Sequence, residues 1–307
     1  MKPQWNGVYP ALTTKFTAEG KLDLPTFQKN VAAQIEAGID GIIVGGSLGE
    51  SSTITWEERI ELLQAGRETA AGRIPVLLNI AEGSTQNAVK LAQLAQENDA
   101  DGLMVLPPMM YKPTDAETVD FFRTVAMNTD LPILIYNNPV DYKINVTPDM
   151  FEELLKLDNI QAVKESTRDV SNVTRFINRF GDRLKILCGV DTLALECMVL
   201  GADGWVAGLV CAFPRETVAI YRLVKAGRLE EAVAIYRWFL PILELDINPQ
   251  LVQNIKLAET LTDLGTEHVR APRQPLNGAE RERVLKILEE GLAQRPELPD
   301  YLKLEVA

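Results

Sequence analysis

Short apolar runs recur along the chain, and longer segments with apolar residues at helical spacing separate them. Each run is rich in Val, Ile and Leu and is bounded by Gly, Pro or Asn. This pattern is typical of strands that are buried on both faces of a parallel sheet. The predicted strands span residues 7–14, 40–46, 75–81, 101–107, 131–137, 160–166, 184–190 and 203–209. Segments such as LPTFQKNVAAQIEAG and TQNAVKLAQLAQENDA, which lie between them, have the periodicity of amphipathic helices.

The alternation of eight strands with helices predicts a (β/α)8 TIM barrel rather than an open doubly wound sheet. An open sheet usually has a glycine-rich fingerprint after its first strand, whereas here the first predicted strand runs into TTKFTAEG. After about residue 215 the pattern is purely helical, and the first of these helices completes the predicted barrel. We therefore expect a barrel over residues 1–227 and a C-terminal helical bundle over residues 228–307, packed on the barrel.

Composition excludes several classes of function. The net charge of −12 is spread along the chain, which argues against a nucleic-acid partner. No apolar run is long enough to cross a membrane, and the first residues lack the pattern of a signal peptide. Three scattered cysteines predict neither a disulfide framework nor a metal site, so we expect a cytoplasmic protein. One histidine, His268, argues against zinc and Ser-His-Asp chemistry.

The sixth predicted strand ends on a lysine, in the stretch NIQAVKEST. Barrel enzymes build their sites at such strand ends. Alternation along the strand places Lys164 on the same face as Ala162 and opposite Val163. If that face is the barrel interior, burial lowers the pKa of Lys164, and its neutral amine can attack a carbonyl carbon to form a Schiff base. The position fits equally well a structural lysine paired with Glu50 or Asp191.

Two other strand ends carry candidate chemistry. Tyr136 ends the fifth predicted strand, where its phenol could move protons to and from a substrate held at Lys164, or could simply pack in the core. The turn GGSLGES, residues 45–51, follows the second strand. Its backbone N–H groups could hold a carboxylate, although a tight loop without any ligand has the same sequence signature.

Four motifs together resemble the N-acetylneuraminate lyase / dihydrodipicolinate synthase family over essentially the whole chain. They are GSLGE (46–50), YNNP (136–139), VKEST (163–167) and GADGWVAG (201–208). The resemblance implies a (β/α)8 barrel with a C-terminal helical extension, assembled as a homotetramer of two tight dimers. It also implies a Schiff base between Lys164 and a small-molecule 2-oxo acid, without a metal or an organic cofactor.

The resemblance further implies roles for individual residues. Tyr136 would be the proton shuttle, and the hydroxyl and amides at Ser47 and Leu48 would hold the substrate carboxylate. The backbone near Gly189 and Val206 would line the pocket. Asp191 lies where sugar-acid lyases of the family bind substrate hydroxyl groups.

The chain departs from the family pattern at three places. Leu48 replaces a hydroxyl residue that, in dihydrodipicolinate synthases, belongs to a proton relay completed by a tyrosine of the neighbouring subunit. Met109 and Met110 occupy the usual positions of that tyrosine and its neighbour, and Tyr111 falls one place late. Asp141 stands where synthases carry an arginine for a second carboxylate, and it would repel that carboxylate.

These departures predict that the chain is not a true dihydrodipicolinate synthase. We expect a class I Schiff-base lyase or hydrolyase that acts on a small hydroxylated 2-oxo acid or a cyclic imine acid, such as a 1-pyrroline-4-hydroxy-2-carboxylate deaminase. A 2-keto-3-deoxy sugar acid aldolase or dehydratase is an alternative. An alternative from another class is a non-catalytic barrel that binds a metabolite.

Overall fold

A computed structural model describes residues 1–305, in which eight parallel strands alternate with helices around a closed ring. The strands are β1 Gly7–Pro10, β2 Ile42–Val44, β3 Val76–Ile80, β4 Gly102–Val105, β5 Ile133–Asn137, β6 Ile160–Glu165, β7 Lys185–Cys188 and β8 Gly204–Ala207. The helices between and after them are α1 Leu24–Glu36, α2 Trp56–Ala70, α3 Thr85–Glu97, α4 Asp115–Met127, α5 Pro139–Tyr142, α6 Pro148–Leu154, α7 Ser171–Phe180, α8 Ala194–Val199, α9 Pro214–Lys225, α10 Leu229–Leu243, α11 Leu251–Leu261 and α12 Gly278–Ala293. The predicted (β/α)8 barrel with a helical extension is confirmed.

The strands pair in the order β1-β8-β7-β6-β5-β4-β3-β2, and a parallel bridge between Ala11 and Ile43 closes the ring. Register decides which side chains share one level of the barrel. On β5 and β6, Tyr136 stands beside Lys164. Two of the predicted site residues are therefore cross-strand neighbours.

Alternation along the strands separates an inner from an outer core. Ala162 and Leu134 pack with other inward-facing residues in a cluster inside the barrel. Val163 and Ile135 belong to the larger cluster between the strands and the helices. Lys164 follows Ala162 by two residues and so lies on the inner face, as the period of a strand requires.

The C-terminal helices return to the mouth of the barrel. The predicted boundary at residue 228 falls in the connection between α9 and α10. Beyond it, Lys256 and Glu259 of α11 form buried ion pairs with Glu50 and Lys15, both at 2.6 Å. The short turn that precedes α11 brings Asp246 to the cavity at the carboxyl ends of the strands. None of the helices within residues 1–305 combines the length and apolarity needed to cross a bilayer.

Candidate active site

The Lys164 side chain lies inside the barrel mouth, where it lines a cavity and is only 7% exposed. Its Nζ is 4.1 Å from the centre of the Tyr136 ring. Within residues 1–305 no carboxylate comes within ion-pair distance of this amine, because Glu50 pairs with Lys256 and Asp191 binds backbone N–H groups. The alternative of a structural lysine paired with Glu50 or Asp191 is thus not what the structure shows.

Burial sets the charge state of this amine. Loss of hydration lowers the pKa of Lys164, and the charges of Asp246, then Tyr142 and Asp191, oppose that shift. Because desolvation outweighs the attraction, a fraction of the amine is neutral closer to physiological pH than for a lysine in water. A neutral amine is the nucleophile that Schiff-base formation requires.

Gly189, at the end of β7, makes room for the lysine stem. A Cβ at this position would lie 2.6 Å from Cγ and 2.7 Å from Cε of Lys164. Carbon atoms in ordinary contact are about 3.5–4.0 Å apart, so any side chain at residue 189 would displace the amine. The residue lines the cavity, and so does Val206 of β8.

Tyr136 presents both its ring and its hydroxyl to the cavity. Burial raises the pKa of the phenol, so the hydroxyl stays protonated and can donate its proton to a bound group. The Nδ2–H of Asn138 donates to the Tyr136 oxygen at 3.1 Å. Because this bond occupies the oxygen as an acceptor, the phenolic proton is free to point elsewhere.

The turn after β2 brings Ser47 and Leu48 to the cavity wall. The Ser47 hydroxyl is hydrogen-bonded to the hydroxyl of Tyr142, and the Leu48 side chain is buried. In the described part of the chain, the N–H groups of Ser47 and Leu48 have no backbone acceptor, whereas Glu50 N–H donates to the Ser47 carbonyl. Two free N–H groups and a hydroxyl suit a carboxylate.

Asp141 and Asp191 differ in their relation to the cavity. Asp141 lies at the mouth, where its carboxylate accepts a 2.7 Å hydrogen bond from Asn138 Nδ2. Asp191 does not line the cavity: its buried carboxylate accepts from Trp205 Nε1 at 2.9 Å and from the N–H of Leu209 at 2.8 Å. Contrary to the expectation that it binds substrate hydroxyls, Asp191 holds the loop after β8 from behind the cavity wall.

Three polar side chains in the cavity lining stand outside the sequence motifs and were not singled out: Tyr142, Arg168 and Asp246. Tyr142 follows the YNNP turn and Arg168 follows VKEST. Their position next to these motifs is the sequence feature that could have identified them as site residues. Arg168 is exposed, and its guanidinium forms no ion pair within residues 1–305. Asp246 comes from the C-terminal extension, and no sequence motif pointed to it. Burial, with help from Asp191, raises its pKa to about 8, while Lys164 opposes the shift.

Comparison with known proteins identifies the family. The model of the Dihydrodipicolinate synthetase family matches residues 4–291. The chain belongs to the dihydrodipicolinate synthetase family. This confirms the resemblance inferred from the four motifs.

Relatives and solved structures agree with this membership. The 4-hydroxy-tetrahydrodipicolinate synthase of Exiguobacterium sibiricum is 34% identical over 89% of this chain and 92% of its own length. The synthase of Methanoculleus marisnigri is 30% identical over 92% and 98%. The solved 4-hydroxy-tetrahydrodipicolinate synthase of Methylacidiphilum fumariolicum superposes with a TM-score of 0.88 at 30% identity, covering 94% of this chain and 97% of that one. The chain is accordingly an enzyme of the class I Schiff-base lyase kind.

The prediction that the chain is a deaminase-like enzyme and not a true dihydrodipicolinate synthase is wrong. Curated relatives from 28% to 34% identical over most of the chain are named 4-hydroxy-tetrahydrodipicolinate synthases. A sugar-acid aldolase or dehydratase and a non-catalytic binding barrel have no support among these relatives. The prediction rested on positions 48, 110 and 141 alone, whereas the cavity also contains Arg168 and the Tyr142 hydroxyl.

Proposed function

We propose that the chain is a 4-hydroxy-tetrahydrodipicolinate synthase that works through a Schiff base on Lys164. The product in that name is a six-membered ring with one nitrogen, two carboxylates and a 4-hydroxyl group. Hydrolysis of its C=N bond and retro-aldol cleavage of the C4–C5 bond would give pyruvate and the 4-aldehyde of aspartate. The enzyme therefore needs an amine that activates a 2-oxo acid, a proton relay, and a site for each carboxylate.

The unpaired, buried amine of Lys164 beside Tyr136 is the observation that carries this proposal. The neutral amine adds to C2 of pyruvate, and the carbinolamine loses its hydroxyl as water when Tyr136 supplies a proton. Loss of a proton from C3 then gives an enamine, whose C3 attacks the aldehyde carbon, and the resulting oxyanion is protonated. The amino group of the second substrate finally displaces Lys164 from C2 and closes the ring, so one water is released overall.

The two carboxylates have separate candidate sites in the cavity. The N–H groups of Ser47 and Leu48 and the Ser47 hydroxyl support binding of the pyruvate carboxylate near Lys164. Arg168, the other cationic side chain of the described cavity lining, supports binding of the carboxylate of the aldehyde substrate. The hydrogen bond from Asn138 occupies one carboxylate oxygen of Asp141, the residue that would oppose this binding.

Borohydride reduction in the presence of pyruvate tests the first step. We expect a permanent mass increase that peptide mapping assigns to Lys164, and no adduct on Lys256, which is fully buried. Turnover of pyruvate with aspartate 4-semialdehyde tests the second step. An adduct without consumption of the aldehyde would contradict the synthase reaction, and the absence of any adduct would contradict the Schiff base itself.

Arg168→Gln tests the proposed site of the second carboxylate. We expect the KM for the aldehyde to rise by about 10-fold or more, as loss of one charge-assisted hydrogen bond of about 1.5–3 kcal/mol implies. The yield of the pyruvate adduct should stay the same. Arg123→Gln, on the exposed side of α4, is the matched control. An unchanged KM for Arg168→Gln would remove this residue from substrate binding.

A further inference from the structure

Tyr142 has no part in the chemistry described so far, yet its hydroxyl is inside the site. The residue ends α5, which begins directly after Asn138. The Asn138 side chain caps this helix by accepting the N–H of Asp141 at 3.2 Å, and Lys143 ends it in the left-handed region at φ 63°. This single turn aims Tyr142 back across the cavity mouth rather than into solvent.

Two contacts fix the Tyr142 ring. Its hydroxyl is hydrogen-bonded to Ser47, on the opposite side of the cavity mouth. Its ring packs edge-to-face on Tyr136, with centroids 5.6 Å apart and planes at 83°. Such aromatic pairs are common in protein cores, but here both phenols line the same cavity as Lys164.

Proton transfer at Lys164 requires a route by which Tyr136 recovers each proton it gives up. Asn138 contacts the Tyr136 oxygen, but an amide N–H holds its proton too tightly to relay one. The loop that contains Met110 and Tyr111 brings no hydroxyl to the cavity of its own chain, because neither residue is part of the described cavity lining. The hydroxyls of Tyr142, Ser47 and Ser166 line the same cavity, and each can accept one proton and release another. Of these, Tyr142 both packs on the Tyr136 ring and is hydrogen-bonded to Ser47.

We infer that Tyr142 is a relay residue that connects Tyr136 to Ser47 and to solvent at the cavity mouth within a single subunit. Each hydroxyl takes up one proton and passes one on, so the residues are unchanged after each transfer. The inference rests on the proposed function, because a relay has a role only if a Schiff base forms at Lys164. It specifies that the hydroxyl comes from the same chain as the lysine.

A double-mutant cycle tests this role. Tyr142→Phe keeps the ring contact with Tyr136 and removes only the hydroxyl, so we expect kcat to fall by about 10²-fold with little change in the KM for pyruvate. Ser47→Ala in the Tyr142→Phe background should lower kcat little further, since two members of one relay act as a unit. Full activity in Tyr142→Phe, or independent additive losses, would overturn the inference.

Three controls distinguish loss of the proposed relay from other causes of lost activity. Borohydride trapping of pyruvate on Lys164 should persist in Tyr142→Phe, whereas failure of trapping in the unmodified protein would refute the proposed function instead. Tyr111→Phe should keep wild-type kcat, and a large loss there would assign the relay to the exposed loop and overturn the inference. Co-expression of Lys164→Ala with Tyr142→Phe subunits should restore no activity, since restoration would show that Tyr142 serves a neighbouring subunit.

Discussion

Lys164 of β6 and Lys256 of α11 are two buried lysines that differ in what surrounds the amine. Each lies over an aromatic ring, Lys164 at 4.1 Å from the centre of Tyr136 and Lys256 at 4.6 Å from that of Phe16. Lys256 is fully buried and donates to Glu50 and to the His268 carbonyl, both at 2.6 Å. Lys164 has no such acceptor among the described residues and faces a cavity.

A lowered pKa does not by itself distinguish these two amines. Burial lowers the pKa of Lys256 to about 8, although Glu50 opposes the shift, and burial also lowers that of Lys164. The difference lies in access and in partners. A nucleophile needs a free lone pair and space for a carbonyl carbon, and only Lys164 has both, whereas Lys256 ties α11 to the turn that follows β2.

Lys164→Met should produce the largest functional loss with no loss of stability. Methionine keeps an unbranched stem but cannot form a Schiff base, so we expect turnover and the borohydride adduct to vanish. The folded pKa of Lys164 lies below its unfolded value, so the folded state binds fewer protons and this amine destabilises the protein near pH 7. Urea unfolding should show Lys164→Met to be the more stable form at pH 7, with an advantage that shrinks as pH approaches 10.

Lys256→Met should have the opposite effect. It leaves the Glu50 carboxylate buried without its ammonium partner, which typically costs about 3–5 kcal/mol of unfolding free energy. The double variant Lys256→Met, Glu50→Gln should recover part of this loss, because no uncompensated charge remains. Chemical denaturation measures both, and an unchanged stability in Lys256→Met would show that the ion pair does not hold α11 to the barrel.

The fold could be predicted from sequence because its signal is local. All eight predicted strands exist, but their ladders end early: the first was predicted over residues 7–14 and spans Gly7–Pro10. The residues beyond it form the barrel mouth, where Thr13 donates to Glu259 at 2.7 Å. An apolar pattern cannot show where a strand leaves the ladder to meet a helix that lies more than two hundred residues later in the chain.

The site was only partly predictable for the same reason. Lys164 and Tyr136 stand at strand ends, where the period of a strand gives their direction, and Ser47 stands in the turn after β2. Asp191 also stands near a strand end, but its carboxylate accepts hydrogen bonds from backbone N–H groups after β8. The sequence pattern gives no sign of that contact. Asp246 enters the cavity only because the C-terminal helices fold back over the mouth.

Asp246→Asn should change how the free energy of unfolding depends on pH, without abolishing turnover as Lys164→Met does. Burial raises the pKa of Asp246 to about 8, far above the value of about 3.9 for an exposed aspartate. Between these values the folded state holds a proton that the unfolded state has lost, so the contribution of Asp246 to stability falls as pH rises. Asparagine cannot ionise, so the variant should gain stability relative to the unmodified protein from pH 5 to pH 8.

Asp169→Asn is the control with the opposite sign. Ser171 and Arg175 lower the pKa of Asp169 to about 2, so its contribution is complete above the unfolded pKa and should be constant between pH 5 and pH 8. Where it is ionised, Asp246 is the charge that most strongly opposes deprotonation of Lys164. Removing it should move the acidic limb of kcat/KM to lower pH, and an unmoved limb would mean that Asp246 keeps its proton throughout that limb and does not stabilise the Lys164 ammonium.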